Sequence, residues 1–129
     1  MIYKLFLDDI RGVRDVFPHA RLYEWIVVKN YNEFVEVIQK KGLPFFVSFD
    51  HDLSLEHDPC FEPDGGINSQ KKIPYDEYKE RTGYHAAKWL VEYCMDNNLT
   101  LPKWNVHSAN PVGAGNIESY LTSYENSVK

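Results

Sequence analysis

Phe45-Phe46-Val47-Ser48-Phe49-Asp50-His51-Asp52 sets the fold class of this chain. A short apolar run, aromatic and β-branched, passes directly into three ionisable residues. Such a run reads as a strand covered on both faces, near the centre of a sheet. Three ionisable groups in a row are costly to bury unless they serve a purpose or reach solvent. The run Tyr3-Lys4-Leu5-Phe6-Leu7 ends the same way, in Asp8-Asp9. Trp104-Asn105-Val106-His107-Ser108 ends in polar groups without an acid. In open parallel α/β sheets the ligand site lies at the carboxyl ends of the strands. These strand tips therefore predict one shared polar site.

The intervening sequence supplies the crossovers. Residues 10–22, with Gly12 and Pro18, suit a loop or a distorted helix. Trp25-Ile26-Val27-Val28 reads as a short strand. Asn30 and Glu33 are spaced as in a capping box. Tyr31, Phe34, Val35 and Ile38 follow at helical spacing, and Gly42 and Pro44 end that helix. Gly83 to Asn98 is a second helix with Ala87, Leu90, Val91 and Cys94 as its buried stripe. Asn110-Pro111-Val112-Gly113 reads as a turn, and a last helix is predicted from about Ala114 to Tyr124. Strands alternating with helices imply right-handed crossovers and a mostly parallel sheet of about four strands, with helices on both faces in a three-layer α/β architecture. Residues 1–129 read as a single domain. Between Ser54 and Thr82 the periodicity disappears, apart from a short helix that 73–80 could hold. So long a loop in a compact domain is commonly functional.

Composition narrows the partners. The chain has 129 residues, of which 43% are hydrophobic and 15% aromatic, enough for a real core. A net charge of -5 argues against duplex DNA, which wants a basic stripe, but leaves room for a pocket holding one nucleotide or one RNA end. Cys60 and Cys94 lack zinc-site spacing and read as free thiols of a reducing cytosol. No run approaches membrane-spanning length, so a cytoplasmic protein is predicted, without contact with membranes. Oligomeric state is not legible.

Asp8, Asp9 and Asp50 are candidate ligands of a divalent cation, with Mg²⁺ the natural choice for a carboxylate set beside phosphate. The bland alternative is that Asp9 caps the following turn. His51 and His107 are candidate general base and general acid, since imidazole titrates near neutrality. Asp52 beside His51 can orient that ring, which makes it a third catalytic candidate. Arg11 either neutralises the acids or grips a phosphate through its fork. Ser108 and Asn110 are candidate hydrogen-bond donors to phosphate oxygens. His57 and His85 read as ordinary. There is no Walker A loop, GxGxxG, GxSxG or HExxH motif.

An acidic pair after the first strand, an Asp after the third and a Ser after the fourth resemble the layout of response-regulator receiver domains. In that layout Asp8 and Asp9 match metal-binding acids, Asp50 the phospho-acceptor and Ser108 the hydroxyl residue. The chain departs from it in lacking the last strand with its Lys, in the His after Asp50 and in the long 54–82 insertion. Leu7-Asp8-Asp9-Ile10-Arg11, Ser48-Phe49-Asp50-His51-Asp52-Leu53, Thr82-Gly83, Trp89-Leu90 and His107-Ser108-Ala109-Asn110-Pro111 together look like the cyclic-phosphate-processing receiver-like family of bacteria and phages. The resemblance implies a flavodoxin/receiver-like fold and the handling of a cyclic phosphate in RNA-end repair or nucleotide signalling.

These readings converge on a metal-assisted phosphoesterase that opens a cyclic phosphate on an RNA end or a nucleotide. One rival is a phospho-accepting receiver, which would carry an acid-labile phosphate on Asp50. Another is a non-catalytic binder, or sponge, for a cyclic nucleotide.

Overall fold

A computed structural model of the chain describes residues 2–53 and 81–128. Most of the predicted 54–82 loop, the short helix over 73–80, Cys60 and His57 lie outside the described residues. Four strands form the sheet: β1 (Lys4–Leu7), β2 (Trp25–Val28), β3 (Phe46–Phe49) and β4 (Lys103–Val106). All pairings are parallel, in the order β2-β1-β3-β4. The most hydrophobic run is central, as its composition predicts. Among the described residues the helices are α1 (Val13–Val16), α2 (Tyr31–Lys41), α3 (Gly83–Asp96) and α4 (Pro111–Ser127), with a 3-10 turn at Leu22–Glu24. This is the receiver-like α/β fold.

Alternation along the strands divides the core. Leu5, Leu7, Val47 and Phe49 face one side and are buried with Phe34 and Ile38 of α2, Ala87 and Leu90 of α3, and Ile117 and Leu121 of α4. Tyr31 and Val37 pack at its margin, while Val35 is half-buried. The predicted stripe of Ala87, Leu90, Val91 and Cys94 is buried throughout. On the opposite face Phe17, just beyond α1, stacks on Trp25 at 5.3 Å, and Trp25 meets Phe46 edge-on at 5.9 Å.

Helix ends follow local chemistry. The Asn30 side chain accepts from the Glu33 amide, and Glu33 in turn accepts from the amide of Lys29. Gly42, at φ 83°, ends α2 in a backbone region that favours glycine. The structure moves one boundary: α4 begins at Pro111, and the predicted turn at 110–113 is its first turn. Asn110 is the N-cap, its side chain accepting from the Gly113 amide at 3.0 Å. Proline suits that first position, where its missing N–H removes a donor that would lack a helical partner.

Candidate functional site

The register places the site. Leu7 is level with Val28 and Phe49, and Phe49 with Val106. The next residue of each strand keeps the ladder going: Asp8 N donates to Val28 O, Asp50 N to Leu7 O and His107 N to Phe49 O. Asp8, Asp50 and His107 therefore stand in one row across the carboxyl edge of three neighbouring strands. Each offers a ligand atom, and these atoms lie within 4.8 Å of one another. His107 Nε2 is 3.0 Å from Asp8 Oδ2. Asp9 lies outside this group.

Arg11 spans the two acids. Its Nε donates to Asp8 Oδ2 at 2.9 Å and its Nη2 to Asp50 Oδ1 at 3.4 Å. The turn that brings it back is held by Asp8, whose Oδ1 accepts from the amides of Ile10 and Arg11 at 2.9 and 2.8 Å. Asp8 thus caps this turn, its side chain reaching back over the chain that follows. Arg11 is thus paired with both acids, the contact that its reading as their neutralising partner asks for.

The two carboxylates differ electrostatically. Burial works to raise Asp8, but the bond with His107, the two backbone amides and the Arg11 charge outweigh it and hold Asp8 down at about 2. Asp50 is pushed up to about 7, first by burial and then by the neighbouring Asp8 charge, with Asp52 adding to it. Arg11 and a hydrogen bond from Ser108 offset only part of this. A buried carboxyl in that condition gains most from a cation placed against it.

A second polar layer lies beside the row. His51 is fully buried, and its Nδ1 is 2.7 Å from Asp52 Oδ1. Asn110 is also buried, and its Nδ2 donates to the same oxygen at 3.0 Å. The amide of Asn110 thus has protein partners at both ends, Asp52 and Gly113. Two glycines clamp the segment: a β-carbon on Gly83 would run into the Asp50 carbonyl, and one on Gly113 into the His51 ring. The Gly83 amide donates to His51 O at 2.9 Å. Asp52 is the accessible member, with 24% of its side chain exposed. His51 and Asn110 thus bond the same oxygen of Asp52, and both are buried, whereas the sequence reading made His51 an acid–base group and Asn110 a hydrogen-bond donor to phosphate. Ser108 is half-buried, and its Oγ accepts from the Asn110 amide at 3.1 Å.

Sequence reasoning passed over Ser48 and Phe6. Ser48 Oγ is 2.6 Å from His107 Nδ1, and Phe6 stacks on the His107 ring at 4.6 Å and 2°. The signal was present in the period of the strand. Ser48 and Phe6 each sit two residues before a site Asp, so they share its face. Thr82 and His85 form a local cap for α3, with Thr82 fully buried and its amide donating to His85 Nδ1 at 2.9 Å.

Two carboxylates and one imidazole suit a divalent cation. The imidazole shifts the preference from Mg²⁺ toward ions that accept mixed nitrogen and oxygen ligands, such as Mn²⁺ or Zn²⁺. Among the described residues no helix is long and apolar enough to cross a membrane.

The family described as the cyclic-phosphate processing receiver domain matches residues 3–123. Among curated proteins and among solved structures, none matches the chain.

Proposed function

The chain belongs to the cyclic-phosphate-processing receiver family, and we propose that it hydrolyses a cyclic phosphate ester with a divalent cation held by Asp8, Asp50 and His107. The observation that carries this reading is the convergence of those three side chains, with Arg11 over both carboxylates. The substrate class is a small nucleotide or an RNA end bearing a cyclic phosphate.

The cation would supply charge against the phosphate oxygens and a more acidic water. The remaining work falls to the chain. The Arg11 guanidinium, 35% exposed, turns its fork from the carboxylates to the phosphate oxygens. Ser108 donates to a third oxygen. Asp52, held by His51 and Asn110, takes the proton of the attacking water. The water oxygen bonds to phosphorus as one ring P–O bond breaks, the freed alkoxide takes a proton from solvent, and Asp52, 24% exposed, returns its own proton to solvent. The products are a phosphomonoester and a hydroxyl, with one water consumed.

The test is incubation with 2′,3′-cyclic and 3′,5′-cyclic nucleotides and with cyclic-ended RNA, in Mn²⁺, Zn²⁺ or Mg²⁺. A ring-opened monoester should form with at least one substrate, and Asp50→Asn or chelation should abolish it. Intact substrates in every arm, with the protein folded, overturn the proposal. Tight binding with return of intact ligand would identify a sponge instead.

A further inference from the structure

Ser48 is a fully buried hydroxyl in the middle of the most hydrophobic strand. Such a group has to be hydrogen-bonded, and its partner is His107 Nδ1 at 2.6 Å. The other nitrogen of that ring, Nε2, points at Asp8 Oδ2 at 3.0 Å, within the ligand group. The Ser48, His107 and Asp8 side chains therefore form one line. The order is reversed from a hydrolytic triad, and a hydroxyl with no exposed surface cannot reach a substrate, so Ser48 is no nucleophile. Phe6, level with Ser48 on the adjacent strand, stacks flat on the imidazole and fixes its plane. With the plane fixed, the partner of Nδ1 determines what Nε2 can do.

Building on the metal-site reading above, we infer that Ser48 is the positioning residue that sets the tautomer of His107 and so readies Nε2 as a ligand. Facing an ionised carboxylate, Nε2 carries the proton and Nδ1 accepts the Ser48 O–H. When a cation takes the Nε2 lone pair, the proton resides on Nδ1 and the Ser48 oxygen accepts it. A hydroxyl serves both states because it both donates and accepts. The proton passes from one ring nitrogen to the other, and no bond other than N–H changes. Partners of this kind behind ligating histidines govern both ring orientation and affinity.

The experiment uses the full chain with Zn²⁺ as the probe, which keeps NMR spectra sharp. Calorimetry should show Ser48→Ala binding Zn²⁺ about 10–100-fold more weakly than the parent, with Ser48→Thr, which keeps the hydroxyl, recovering most of the loss. In the unmutated protein, ¹⁵N spectra of His107 should shift from the Nε2–H form to the Nδ1–H form on saturation with Zn²⁺. Equal affinity of the folded alanine variant and the parent overturns the inference, as does a parent His107 that is Nε2–H in both states. The spectra need no variant, so they decide even if Ser48→Ala does not fold. Failure of the parent to bind Zn²⁺ overturns the metal site itself, and the metal-free spectrum then still tests the tautomer assigned to His107. In that spectrum, an Nδ1–H ring overturns the assignment of the proton to Nε2.

Discussion

Asp8 and Asp50 are chemically the same residue in adjacent strands, yet the fold drives them apart. Burial raises both, but at Asp8 it is outweighed by an imidazole, two backbone amides and a guanidinium, whereas at Asp50 the negative field of Asp8 adds to it. The consequences for stability have opposite signs. Asp8, lowered from 3.8 to about 2, stabilises the fold above its unfolded value, and that stability is lost as pH falls toward 2. Asp50, raised from 3.8 to about 7, favours the fold in its protonated form, so stability is lost as pH rises through about 7. Melting of metal-free protein should therefore show a lower midpoint at pH 8 than at pH 5, and Asp50→Asn should flatten that slope. Parallel curves for the two proteins would refute this account of Asp50. The acids themselves were legible in the sequence, because polar groups directly after an apolar run mark a strand tip. Which of Asp8 and Asp9 turns inward was not, since that depends on the direction of the turn carrying Arg11.

The start of α4 is the element on which the second polar layer depends. Gly113 lets the helix lie directly on the His51 ring, while a β-carbon on Gly115, two residues further along, would meet nothing within 4 Å. The pair gives a controlled comparison on one helix. Gly113→Ala should cost about 1–3 kcal/mol through overpacking, whereas Gly115→Ala should add roughly 0.5–1 kcal/mol through helix propensity. Urea denaturation of both variants measures the difference, and equal effects would dismiss the contact between α4 and His51. Periodicity identified this helix and its buried Ile117. It placed the start late, because Pro111 and Gly113 read locally as turn residues and only the Asn110 cap makes them helical.

Across the whole molecule, the candidate ligands belong to three strands that are far apart in the chain but adjacent in the sheet. A cation there would tie the carboxyl ends of β1, β3 and β4 together, and would bind the folded state alone. Zn²⁺ or Mn²⁺ at about a hundred times its Kd should stabilise the protein by about 2.7 kcal/mol, read as a rise in Tm that EDTA reverses. Asp8→Asn and His107→Ala should each remove most of that rise. An unchanged rise in both variants would move the metal elsewhere.

The order of strands and helices, the central place of Phe46–Phe49 and the polar strand tips all follow from local patterns, because apolar period and punctuation are properties of neighbouring residues. Strand order places β3 between β1 and β4, and the parallel register then aligns Asp8, Asp50 and His107 in one row. That alignment, the recruitment of Ser48 and Phe6 behind His107, and the withdrawal of His51 and Asn110 beneath α4 depend on contacts between residues distant in the chain. Side-chain burial and partnership are set by what packs across the sheet, and no local spacing encodes that.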